Sequence, residues 1–238
     1  MDAQVGEDYY TSRKPEILAI FDTHAQAWRP FLVSRYGDEF TEAVLKAARE
    51  EHEALIPQIP YIGGDENNMT RHLVRSTTSL VFYKAMKTRG RTAEETGKII
   101  YDAVVEQVSK PDAPIRRRRA ESAEEGMARR REEARRSQEH RYPGDWLYEA
   151  VEGNDIEFDY GIDFLECGTQ KLYHAHNADE FLPFYCFLDF VTSKATGSGL
   201  ARTMTLAEGY EKCDFRYKRG RKTYPEWPPS FLKESRIY

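Results

Sequence analysis

The hydrophobic pattern of this 238-residue chain keeps helical spacing through its first half and brings in period two only in its last third, and the change limits the folds available to it. From Lys14 to Tyr36, Ile17, Leu18, Ile20, Phe21, Ala25, Trp28, Phe31 and Leu32 recur at three- and four-residue steps, the spacing of one helical face. Phe40 to Leu55 repeats the pattern, and Met69 to Lys87 carries it again. Thr92-Ala93-Glu94-Glu95 reads as a capping box opening a helix that runs to about Ser109. Beyond Tyr142-Pro143-Gly144-Asp145-Trp146, the stretch from Ile156 to Phe164 alternates with period two, a strand signal that continues towards Leu172. Asn177 is placed to cap a helix from Ala178 to about Thr192, and Leu200 to Leu206 and Lys212 to Lys218 read as two further strands. Helices first and alternation last predict an α+β fold, a helical N-terminal half packed with a C-terminal antiparallel sheet-plus-helix region.

Breakers divide this pattern. Pro30 is expected to kink the first helix and Gly37 to close it. Ile56 to Asn68 holds two prolines and paired glycines, so it is an ordered loop that either packs on the core or faces a ligand. Pro111 and Pro114 break the chain again. From 116 to 141, arginines (Arg116 to Arg119, Arg129 to Arg131, Arg135, Arg136) alternate with glutamates, predicting a solvated or inter-subunit helix laced by i,i+4 ion pairs. The expected organisation is a helical region over 1–112, a charged connector over 113–141 and an α+β region over 142–238 that carries the site, with the first and last regions open to being one continuous domain.

Composition excludes several functions. Apolar residues at 40% and aromatics at 13% support a packed core, and a net charge of −5 is the wrong sign for a nucleic-acid binder. The N-terminal residues are acidic with no apolar signal core, and no stretch approaches the ~20 apolar residues of a membrane span, so a cytoplasmic location without membrane association is expected. Three cysteines, an odd number, argue against a disulfide framework. No phosphate loop, dinucleotide glycine fingerprint or nucleophile-elbow serine is present.

All three cysteines fall between 167 and 213, with His174 and His176 between the first two, so the last third holds most of the reactive groups. Cys186 and Asp189 stand three apart on the expected helix, sharing a face among Phe184, Phe187, Leu188 and Phe190. Cys167 and Cys213 are expected on neighbouring strands, where a thiolate would need a cation such as Arg202, Arg216, His174 or His176. His174 and His176, two apart on a strand, would present both rings on one face. No close cysteine pair marks a structural zinc site, so no cofactor is expected, with metal binding through a pair such as His174 and His176 kept as a lesser alternative. Arg202 and Arg216 offer forks for a substrate carboxylate, and Asn67 in the glycine-bearing loop and His174 are further binding candidates. Each residue also has an ordinary reading: lone cysteines behave as small core hydrophobes, and strand arginines are often solvated.

Several strings together resemble the L-2-amino-thiazoline-4-carboxylic acid hydrolase family: Ile59-Pro60-Tyr61-Ile62-Gly63-Gly64, Tyr142-Pro143-Gly144-Asp145-Trp146, and Phe158-Asp159-Tyr160-Gly161-Ile162-Asp163 running into Glu166-Cys167. Pro183-Phe184-Tyr185-Cys186-Phe187-Leu188-Asp189, Ala201 to Gly209 and Cys213-Asp214-Phe215-Arg216 complete the resemblance, which spans roughly 55 to 220. It implies a hydrolase of non-peptide carbon–nitrogen bonds that opens a cyclic C=N substrate to N-carbamoyl-cysteine. In that reading Cys186 or Cys167, or a water activated by Asp189, attacks the ring carbon. Asp189 or His176 moves the proton, with Cys213 the third candidate thiol, and Arg202 holds a carboxylate. The closing strand pair is also similar to vinyl-reductase-type small-molecule-binding domains, which implies binding without turnover. The expected partner is a small-molecule substrate, with room for a homo-oligomer and none for nucleic acid or membrane.

Overall fold

The computed structural model describes residues 8–110, 112–113, 123–154, 156–224 and 226–234; Pro111, Pro114 and Arg116 to Arg119 lie outside them. Two compact units divide the chain. The first takes Met1–Ala103, His140–Trp146 and Cys167–Leu182, and the second takes Val104–Glu139, Leu147–Glu166 and Pro183–Tyr238. No described helix is long and apolar enough to cross a membrane.

In the first unit, helix α1 (Lys14–Leu55) runs through Pro30 without a break and turns at Gly37, whose φ of +80° is a conformation side chains rarely adopt. Its two arms lie antiparallel, because Lys14 pairs with Glu53 at 2.5 Å, Asp22 with Arg49 at 2.9 Å, and Arg29 with Glu42. Phe21, Trp28 and Leu32 of one arm and Val44, Leu45 and Ala48 of the other are buried, and the arms pack on α2 (Thr70–Lys87). Trp28 stacks on Phe82 with ring centroids 4.3 Å apart. Burying each such side chain contributes about 1.5–3 kcal/mol, so this cluster anchors the unit. Helix α2 is buried nearly all round, which its run Ser76-Thr77-Thr78 tolerates because each hydroxyl donates to the carbonyl three residues back.

Helix α3 (Ala93–Ser109) opens with the expected box: Thr92 Oγ1 accepts from Glu95 N, and Glu95 returns a carboxylate oxygen to Thr92 N at 2.8 Å.

The second unit is built on a four-stranded antiparallel sheet of order β1-β2-β4-β3, with β1 Leu147–Glu152, β2 Tyr160–Glu166, β3 Leu200–Ala201 and β4 Cys213–Tyr217. The charged segment forms helix α4 (Ala123–Ser137), which packs on β1: Ser137 and Gln138 both donate to the Tyr148 carbonyl. Register sets Tyr160 against Tyr217, Ile162 against Phe215 and Phe164 against Cys213 on one face, with Asp163 and Asp214 opposed on the other. The fold is therefore α+β.

Three local expectations are corrected. Strand β2 stops at Glu166, and the chain enters helix α5 (Gly168–Ala175), so Cys167 is not on a strand, and His174 and Ala175 end the helix with His176 capping it. Gly168 explains the turn: a side chain there would meet the Gly144 carbonyl at 2.5 Å and the Trp146 ring at 2.6 Å, while the Cys167 sulfur accepts from Gln170 N at 3.5 Å and caps the new helix. Asn177 adopts φ +53° ahead of a turn at Asp179–Phe181, so the next helix, α6 (Leu182–Thr196), begins later than expected. The strand expected over Leu200 to Leu206 ends at Ala201, because Thr203 N and Met204 N both turn to the Asp214 carboxylate.

Candidate functional site

Within the second unit, Arg202 carries an enclosed charge. Its side chain is 4% exposed, and its guanidinium donates to Asp189 Oδ2 at 2.7 Å and to the Cys186 carbonyl at 3.1 Å. The same guanidinium lies over the Phe190 and Phe215 rings, 4.9 Å from each centroid, so helix α6 and strand β4 both hold it. Asp214 fixes the segment that delivers it, accepting from Thr203 N at 2.8 Å, Thr203 Oγ1 at 2.7 Å and Met204 N at 2.6 Å. Burial alone would lower the Arg202 pKa, but Asp189, Cys186 and Cys213 outweigh it and push the pKa above its usual value. The cation is permanent.

Asp189 is the accessible end of the pair, with its side chain 37% exposed. Arg202 engages one of its carboxylate oxygens. One helical turn back, Cys186 is half-buried and contributes to the field at Arg202. Cys213 is 7% exposed, and its sulfur accepts from Leu206 N at 3.2 Å, which ties down the turn before β4. A carboxylate with a water-accessible face, a thiol beside it and a buried cation behind both form a set able to activate a nucleophile.

The sequence candidates thus divide. Cys186, Asp189, Arg202 and Cys213 come together. Arg216 stands on the other sheet face, donating to Asp163 at 2.7 Å, with Lys212 on the same carboxylate at 2.5 Å. Burial raises the Asp163 pKa, and these two cations outweigh that and hold it below the usual carboxylate range.

Cys167, His174, His176 and Asn67 belong to the first unit. Asn67 donates to the Ile62 carbonyl and to Asp145 and accepts from Met69 N, which accounts for the loop as packing. His174 lies 3.0 Å from Asp179 on the surface, and burial and Lys84 lower the His176 pKa. Among the described residues, no group of three or more His, Cys, Asp or Glu could hold a metal ion. An open groove of about 470 Å³ in this unit is lined by Phe21, Asp22, Arg29, Glu42 and Arg49, whose charges pair across the two arms of α1. It offers no thiol.

Sequence reasoning missed Asp214, Phe215 and Tyr217. Their signal was present: period two from Cys213 puts Phe215 and Tyr217 on the thiol's face, and Asp214 sits inside the string that carried the resemblance.

The model of the L-2-amino-thiazoline-4-carboxylic acid hydrolase family matches residues 70–217, more than half of the chain and all four residues of this cluster. The Ile59 to Gly64 string lies before the matched residues. No curated protein and no solved structure matches the chain.

Proposed function

Because this chain belongs to the L-2-amino-thiazoline-4-carboxylic acid hydrolase family, we propose that it opens a small cyclic C=N substrate of that kind by hydrolysis, using Cys186 and Asp189. The observation that carries this reading is the half-exposed Asp189, held at 2.7 Å by a guanidinium that also fastens the Cys186 backbone.

The chemistry follows from the product. N-carbamoyl-cysteine keeps both nitrogens on the attacked carbon, so the C=N bond is hydrated and the bond that breaks runs to the ring sulfur. Asp189 takes the Cys186 thiol proton as the sulfur bonds to the ring carbon. The C=N electron pair moves to the ring nitrogen, which receives that proton. The ring sulfur then leaves as thiolate, and the carbon stays attached to Cys186. Water adds to that carbon with Asp189 as base, and its proton passes to the released sulfur. Collapse to the carbonyl returns the second proton to Cys186, so one water is consumed in all. Arg202 supports both anionic forms, carboxylate and thiolate, from a desolvated position where its charge acts strongly.

The test follows release of the ring thiol from L-2-amino-thiazoline-4-carboxylate by wild type, Cys186→Ser and Asp189→Asn. Each substitution is expected to lower kcat by about a thousandfold, with circular dichroism unchanged. Near-wild-type turnover in Cys186→Ser would move the attack to an Asp189-activated water. Full activity in both variants would remove the site. Binding to wild type without thiol release would favour the small-molecule-binding alternative.

A further inference from the structure

Arg202 was the expected carboxylate holder, yet its charge is committed to Asp189 and to two rings. A substrate carboxylate needs a guanidinium that no carboxylate has already taken. Four arginines of the second unit are at least partly buried among the described residues: Arg130, Arg202, Arg216 and Arg221. Arg202 pairs with Asp189 and Arg216 with Asp163, while Arg221 donates to the carbonyls of Gly199, Arg216 and Glu157. Arg130 differs. Its neighbours on α4 are paired, Arg129 with Glu133, Arg131 with Glu152 and Arg135 with Glu132, whereas Arg130 meets no carboxylate among the described residues. Its guanidinium instead lies over Tyr160, its Cζ 3.7 Å from the ring centroid.

From that point an aromatic ladder runs along one sheet face. Tyr160 stacks on Tyr217 at 4.9 Å, Tyr217 on Phe215 at 6.2 Å, and Phe215 carries Arg202. Tyr217 feels both ends: burial raises its pKa first, Asp189 and Tyr160 raise it further, and Arg202 and Arg130 pull it down. Its hydroxyl is therefore a proton donor throughout the working range. No described group receives its proton.

We propose that Arg130, laid over the Tyr160–Tyr217 ring pair, grips the substrate's carboxylate, and that the Tyr217 hydroxyl donates a hydrogen bond to the same ligand. The inference rests on the hydrolase reading of the Cys186–Asp189 site and supplies its anion recognition. A ligand at the Tyr217 hydroxyl would stand within reach of both Asp189 and Arg130, since both act on that hydroxyl. The stacked guanidinium is pre-ordered, so little side-chain freedom is lost when it binds.

The probe is thiazolidine-4-carboxylate, which has the ring and the carboxylate but no C=N carbon to attack, titrated calorimetrically into the full chain. Arg130→Met should weaken binding about tenfold or more, as expected for loss of a charged hydrogen-bonding fork. Arg130→Lys should recover part of the loss, and Arg131→Met should stay within about twofold of wild type, since Arg131 serves Glu152. Thiazolidine without the carboxylate should bind wild type and Arg130→Met alike. In turnover, Arg130→Met should raise KM while kcat changes little. Equal affinity of Arg130→Met and wild type for the carboxylate, or no binding to wild type, overturns the proposal. Arg130-dependent binding without thiazoline turnover would keep the anion site and sink the hydrolase reading instead.

Discussion

In the first unit the buried polar side chains are neutral and close on one another, whereas in the second a full charge is buried and its partner is left open to water. His52 is fully buried, and its Nε2 lies 2.7 Å from Thr77 Oγ1. The Thr77 hydroxyl proton goes to the Val74 carbonyl, so the histidine must be the donor in this contact. The Nδ1 lone pair then faces inward with no partner among the described residues, which suits a neutral ring and not a cation. His24 meets the next threonine through its other nitrogen, Nδ1, 2.7 Å from Thr78 Oγ1. Arg202 is as enclosed as these rings but cannot shed its proton, so it must hold an anion, and that anion is Asp189. The lesson concerns reactivity: the buried neutral rings spend their N–H groups on neighbouring hydroxyls, while a buried charge holds an accessible partner in place.

Two substitutions sharpen this contrast, beyond the kinetic tests above. The larger effect is expected at Arg202. Arg202→Met removes a donor to the Cys186 carbonyl and leaves Asp189 uncompensated, and should cost about 3 kcal/mol by urea unfolding, the low end for breaking a buried pair because Asp189 keeps water contact. A loss below about 0.5 kcal/mol, within the range of ordinary surface substitutions, would show that the pair is not held as described.

The smaller effect is acid sensitivity in the first unit. Burial, helped by His24 and Arg49, pushes the His52 pKa down to about 4, against ~6.5 in an unfolded chain. As pH falls through 6.5 the unfolded state takes up the proton first, so stability present at neutral pH is lost between about 6.5 and 4. At pH 5 the loss for this ring is about 2 kcal/mol. His52→Leu should remove that share of the difference between pH 7 and pH 5. An unchanged slope in the variant would mean that His52 is already solvated in the folded state.

Much of the fold could be read from periodicity, since helices with long buried stripes and a cap such as Thr92–Glu95 announce themselves. The misreadings cluster where one contact outweighs local pattern. Glu166 to Gly168 turns from strand to helix because Trp146 and Gly144 leave no room for a side chain at Gly168, a constraint set from more than twenty residues away. The strand after Ala201 is cut short by Asp214 in the same manner. Within the site, Cys186 and Asp189 were visible because helical spacing brings residues three apart together without help from the rest of the chain. Arg130 was not, since one arginine in a run of arginines and glutamates carries no mark of which will miss a carboxylate. Arg202 was noticed as a fork for a carboxylate, but that Asp189 is the carboxylate it holds could not be read, since Asp189 is thirteen positions away and only the tertiary structure closes that gap.

The most direct test of a reactive thiol set apart from a capping thiol is brief alkylation by a dilute reagent, read by mass spectrometry, with and without thiazolidine-4-carboxylate. Cys167 and Cys186 are comparably accessible, and Cys213 is buried, so exposure alone does not choose between the first two. The account predicts that Cys186 is modified first and is protected by the ligand. Faster, ligand-protected modification of Cys167, with Cys186 inert, would contradict it.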